Sequence, residues 1–177
     1  MKKIFGLFVL AVTMLCMPSC TEEEGDAIWD VAPAGIEIQL VDEDGNDLLN
    51  PEVEGNWVGE AMQISYDGES YDAIWSREDI KPGSRYYMPT FIGLVWNGAL
   101  YDDNKDYNLY FGEFEGSKNH DMHLTFSITA INTVYEFEYK HDFDWKNNKP
   151  NAENTIVYKG KKTEGSTIVL TVPRNTK

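Results

Sequence analysis

From Gly35 onward, apolar and polar residues alternate with a period of two, and this pattern repeats along most of the chain. In "GIEIQLV", Ile36, Ile38 and Leu40 share one side, with Glu37 and Gln39 on the other. "MHLTFSIT" sets Met122, Leu124, Phe126 and Ile128 against His123, Thr125, Ser127 and Thr129. "VYEFEYKH" alternates in the same way through Tyr135, Phe137 and Tyr139, and "STIVLTV" through Ile168, Leu170 and Val172. Successive side chains of a strand point to opposite faces, so each segment predicts a half-buried β-strand. "TFIGLVW", residues 90–96, is apolar on both sides and predicts a central strand. No segment carries the 3.6-residue period of an amphipathic helix.

Turn chemistry joins these segments. Asp67-Gly68 and Asn97-Gly98 lie between apolar stretches and predict hairpins, because glycine supplies the positive φ of a primed turn. Asp44-Gly45-Asn46-Asp47 and Glu164-Gly165 have similar chemistry. Trp145 to Pro150 reads as a loop crossing one end. The expectation is an all-β chain: an antiparallel β-sandwich, Ig-like, of about eight strands. The immunoglobulin cysteine pair is absent, since the two cysteines are Cys16 and Cys20.

The first twenty residues have a different character. Lys2 and Lys3 precede an apolar run from Ile4 to Leu15, broken by Gly6 and Thr13. At about 1.5 Å per helical residue the run is too short to cross a hydrocarbon core of about 30 Å. It fits a secretory signal peptide. Met17-Pro18-Ser19-Cys20 resembles a bacterial lipobox, with Pro18 departing from the usual small residue. The resemblance implies that Cys20 is acylated and becomes the new N-terminus, and that Cys16 leaves with the signal. Ordinary signal cleavage is the alternative. Three segments are thus expected: a signal peptide over 1–19, a lipidated acidic tether over 20–34, and one sandwich domain over 35–177. Loss of Lys2 and Lys3 takes the formal charge from −15 to −15 − 2 = −17.

The acidic stretch Thr21-Glu22-Glu23-Glu24-Gly25-Asp26 resembles the surface-export signal of Bacteroidetes-type lipoproteins. It implies display on the outer face of the outer membrane, with a periplasm-facing anchor as the alternative. "QLVDEDGNDLLNP", "LYFGEFEGSKNHD" and "DWKNNKP" resemble segments of small β-sandwich surface lipoproteins of unknown function from gut Bacteroidetes. That resemblance implies a fold and a location, and it brings no catalytic motif.

Of the 177 residues, 42% are hydrophobic, 13% aromatic and 25% charged, a globular composition rather than a disordered one. A formal charge of −15 opposes binding to nucleic acid and to anionic lipid headgroups. Membrane attachment then requires the covalent anchor.

Candidate chemistry is sparse. Asp102, Asn104 and Asp106 alternate, Leu109 is eighth and Glu113 twelfth from Asp102, the spacing of an EF-hand calcium loop. Tyr107 stands where that loop needs glycine, so an acidic hairpin loop is the competing expectation. Asp42 to Asp47 fits calcium less well. His120, Asp121 and His123 are close in sequence, but an offset of three on a strand points to opposite faces, and His141 is distant. Solvated histidines are expected rather than zinc ligands. No nucleophile elbow and no phosphate-cradling glycine loop is present.

Tryptophans 29, 57, 75, 96 and 145 are many for one small domain. Trp96 is expected in the core, whereas Trp29 and Trp145, beside polar residues, are candidates for stacking on glycans. The functional expectation is a non-enzymatic binding or structural role at the membrane surface, without a cofactor other than the calcium alternative. Two narrower alternatives are a glycan-binding accessory lipoprotein and an adhesin or assembly component that accepts a strand at a sheet edge.

Overall fold

A computed structural model describes residues 31–79, 93–100 and 106–176, apart from the Glu113 side chain. The chain is all-β. Its strands are β1 (Ala34–Val41), β2 (Met62–Tyr66), β3 (Glu69–Ile74), β4 (Leu94–Trp96), β5 (Leu109–Phe114), β6 (His120–Ile128), β7 (Thr133–Lys146), β8 (Lys149–Tyr158), β9 (Lys161–Glu164) and β10 (Thr167–Thr171). Three single-turn 3-10 segments are the helical elements among the described residues.

The strands form one ten-stranded sheet in the order β10-β1-β5-β4-β3-β2-β6-β7-β8-β9. The sheet curls so that β1 and β5 face β6 and β7. Tyr66 meets Phe114 edge-on, with centroids 5.6 Å apart, and Phe114 meets His120 at 5.6 Å. Between them lies one core. The residues expected on the inner faces are all buried there: Ile36, Ile38, Leu40, Met122, Leu124, Phe126, Ile128, Tyr135, Phe137, Tyr139, Ile168, Leu170 and Val172. Each large apolar side chain buried this way contributes about 1.5–3 kcal/mol before conformational entropy is set against it.

The antiparallel expectation is corrected in two places. β1 pairs with β10 in parallel, from Glu37 opposite Thr167 to Val41 opposite Thr171, and β3 pairs with β4 in parallel. Gly165 and Ser166 alone separate β9 at one edge of the sheet from β10 at the other. β9 runs toward the end where β1 starts, and the reversal at Gly165-Ser166 sends β10 back from that end alongside β1, in the same direction. Alternation fixes which side chains face the core and carries no information about strand direction.

Turn expectations divide. Asp67 and Gly68, with φ of 50° and 80°, join β2 to β3 in the expected hairpin. Asn97-Gly98 instead opens a 3-10 turn over Asn97–Ala99. Asn97 Nδ2 donates to the Asp106 carbonyl and Asn97 Oδ1 accepts from Asn108 N–H, so the side chain ties the turn to the start of β5. Gly98 lets the Trp96 ring lie on the backbone, since a Cβ there would strike the indole. Trp145 to Pro150 is no crossing loop. These residues are cross-strand partners at the tip of the β7–β8 hairpin, whose turn is Asn147-Asn148 at φ 53° and 59°.

The fold has two distinct ends. β1 starts, β5 finishes and β6 starts at one end, where the turn 115–119 lies. The long loop 42–60 follows β1 at the other end, and residues 172–175 dock on it. The Trp57 indole N–H donates to the Pro173 carbonyl at 2.8 Å and Asn175 N–H donates to the Gly55 carbonyl at 2.8 Å.

Candidate functional site: the β7–β8 ribbon and its base

β6 stops pairing at His120, opposite His141, while β7 continues to Lys146. On the other side β9 reaches only to Thr155 of β8. Residues 142–153 therefore project as a two-stranded ribbon beyond the sheet. Its inner face continues the alternation of the core with Phe143, Trp145, Pro150 and Ala152. Trp145 is 56% exposed, and the half-buried Phe143 stands at 86° to it, with centroids 5.7 Å apart. The outer face is polar. Lys146 Nζ lies 3.1 Å from Glu153 Oε1, and Asn151 Nδ2 donates to Asp144 Oδ1 at 2.8 Å. Each such exposed pair contributes only about 0–1 kcal/mol, but these span both strands and hold the tip in register.

The ribbon edges are blocked against a further strand. Phe143 N–H donates to Asn119 Oδ1 at 2.7 Å, so its backbone faces away from β8. That orientation alternates along an antiparallel ladder, so Trp145 and Pro150 also turn their backbone groups outward. Gly165 N–H donating to the Asn154 carbonyl has the same parity. On the β8 side, Pro150 has no N–H to offer. Exposed Lys161 and Lys162 guard the short β9 edge.

Two histidines fix the base of the ribbon. His120 and His141 are direct cross-strand partners on the inner face, with ring centroids 5.9 Å apart. His120 Nε2 donates to the Glu115 carbonyl and His141 Nε2 to the Gly116 carbonyl, each at 2.8 Å. A carbonyl only accepts, so both Nε2 atoms carry their proton. His141, 3% exposed, sets Nδ1 2.6 Å from the Asn154 side-chain amide, which also meets the Tyr139 hydroxyl at 3.1 Å. Burial pushes the Tyr139 phenol up to about 12, against a smaller opposing effect of the Gly35 N–H. His123 points to the outer face, opposite Glu138, as the offset of three implies. His120 and His141 are thus structural donors, and their pairing was invisible without the register.

The other expected site residues are dispersed. Cys20, Trp29, Asp102 and Asn104 lie outside the described residues. Asp106 is exposed, and its carbonyl accepts from Asn97. Glu113 lies within β5, and its side chain is outside the description. Among the described residues, no three His, Cys, Asp or Glu side chains are grouped to hold a metal ion. Three tryptophans are structural: the indole N–H groups of Trp57, Trp75 and Trp96 donate to the carbonyls of Pro173, Glu60 and Leu49.

At the opposite end an open cavity of about 460 Å³ lies among Asp42, Asp44, Thr171, Pro173 and Arg174. Asp42 is saturated: it accepts from the N–H groups of Asp44 and Asn46, the Asn46 amide and the Arg174 guanidinium. Its carboxylate closes the 42–47 turn and has no room for a cation. No family model matches the chain, and neither the curated proteins nor the solved structures contain a match.

Proposed function

We propose that the chain is a lipid-anchored protein of the outer membrane, exposed on the outer face, with a binding or structural role and no catalysis. The observation that carries the anchor is the join of a short apolar run to Met17-Pro18-Ser19-Cys20 and an acidic tether. The polar groups described above support a non-catalytic role: the buried Asp42 and His141 and the half-buried Asn154 are all engaged in holding turns and strands. An Ig-like sandwich remains the proposed fold class, supported by the core enclosed between β1/β5 and β6/β7, with the single continuous sheet of ten strands and its two parallel pairs as departures.

Exposure of the Trp145 ring beside Phe143 favours a second reading, a glycan-binding accessory lipoprotein. Strand addition at the ribbon or at β9 is the less favoured partner mode, because Pro150, Asn119 and the β9 lysines obstruct those edges. Cys20→Ala is expected to release the protein from membranes; retention in the membrane fraction would sink the anchor. A glycan-array screen of residues 21–177 with Trp145→Ala beside it tests the second reading, which fails if no glycan binds above background.

A further inference from the structure

The point at which the chain enters the domain sets what the ribbon's aromatic face meets. Val31 and Ala32, just ahead of β1, pack on the 115–119 turn, where a Cβ at Gly116 would collide with the Ala32 carbonyl. The Gly116 carbonyl in turn accepts from His141, and Asn119 of the same turn holds Phe143 N–H. The entry point, the turn and the ribbon therefore share one end of the domain. Between Cys20 and Val31 the chain advances 31 − 20 = 11 positions. Fully extended, these reach at most roughly 40 Å. Eight residues of β1 then carry the chain about 25 Å to the opposite end.

Charge has the same polarity. Residues 42–60, at the far end, contain seven carboxylates and no lysine or arginine. The ribbon, residues 142–153, carries three carboxylates, Asp142, Asp144 and Glu153, against Lys146 and Lys149. An anionic membrane surface repels the first end far more strongly than the second. An indole with one face wet suits the headgroup layer, and lysine stems lie along apolar surface with the ammonium kept in water.

We propose that the ribbon tip, Phe143 and Trp145 with Lys146 and Lys149, seats in the headgroup layer of the membrane that holds Cys20, and so turns the acidic loop end and its cavity away from the bilayer. The inference rests on the anchor proposed above. It gives the aromatic face a lipid occupant in place of a saccharide, because the tether joins the domain at the ribbon end and keeps that end within its reach of the bilayer.

The test uses the full chain, acylated in a bacterial host and reconstituted in phosphatidylethanolamine/phosphatidylglycerol vesicles. Trp29→Phe removes the tether tryptophan, and comparison with Trp29→Phe/Trp145→Phe isolates the Trp145 emission. Expected is a blue-shifted difference emission that brominated lipid quenches and aqueous iodide does not. Acylated protein whose Trp145 emission is quenched by iodide and untouched by brominated lipid overturns the ribbon contact while leaving the anchor intact. If soluble oligosaccharides shift that emission instead, the face belongs to a glycan. Absence of an acyl mass on Cys20 overturns the anchor and this orientation together.

Discussion

Arg174 grips a single oxygen of Asp42: its Nε and Nη2 both lie 2.8 Å from Asp42 Oδ2, across 132 residues of sequence. The pair fastens the C-terminal segment to the turn after β1. Hydrogen bonds from the Asn46 side chain, ahead of the Arg174 contribution, hold the Asp42 carboxyl down at about 2. A carboxyl depressed in the folded state stabilises the fold above its unfolded value, near 4, and loses that contribution as pH falls through about 2. Arg174→Ala and Asn46→Ala are each expected to move the acid-unfolding midpoint to higher pH, followed by circular dichroism. An unchanged midpoint in both variants would show that Asp42 does not govern the acid limb.

Tyr139 sets the opposite limb. With its phenol pushed up to about 12 by burial, the folded state holds the proton more tightly than the unfolded chain. Its contribution is complete below about 10 and is lost as pH rises from there through about 12. Tyr139→Phe is expected to flatten alkaline unfolding in that window. At neutral pH it should lower stability by about 0.5–1.5 kcal/mol, the net worth of one hydrogen bond. Urea titrations of both proteins at neutral and alkaline pH separate the two effects.

His141→Phe keeps an aromatic ring, a somewhat larger one, and deletes both polar contacts. It takes the histidine donor from the Gly116 carbonyl and leaves the half-buried Asn154 amide with the Tyr139 hydroxyl alone, at an expected cost of about 1–3 kcal/mol. Hydrogen exchange should quicken first in the 115–119 turn and in residues 142–153. Uniform acceleration across the domain would contradict the view that His141 acts locally at the ribbon base.

Trp57 is 1% exposed and staples loop 42–60 to Pro173. Trp57→Ala removes a large buried side chain, for which about 3–5 kcal/mol is expected. A Trp57→Phe variant, which retains most of the packing and loses the indole donor, should fall between the two in urea midpoint. Equal midpoints for Trp57→Phe and the parent chain would show that the Pro173 hydrogen bond carries no stability.

Much of the core was legible because period-two alternation is local. Ile36, Ile38, Leu40 and the inward residues of β6, β7 and β10 follow from nearest neighbours alone. What depends on partners was not legible. The parallel pairing of β10 is set by its choice of β1 as partner rather than β9, and the contact of His120 with His141 by a register of nine cross-strand pairs. The ribbon lay between these cases. Phe143 and Trp145 extend the alternation of Tyr135 to His141, but Asn147-Asn148 lacks the glycine that marks most tight hairpins, so the segment read as a loop. Trp145 was singled out for exposure and is exposed; the elements that hold it there had no sequence signal beyond that alternation.

The parallel pairing of β1 with β10 also determines how the domain bears a mechanical load. A pull applied between Ala34 and Thr171 runs along both strands, so the backbone hydrogen bonds linking residues 37–41 to 167–171 are loaded together in shear, not opened one after another like a zipper. For a domain tethered at one end and dragged at the other, that geometry makes rupture a single high-force event, and a force–extension trace should record it as one peak.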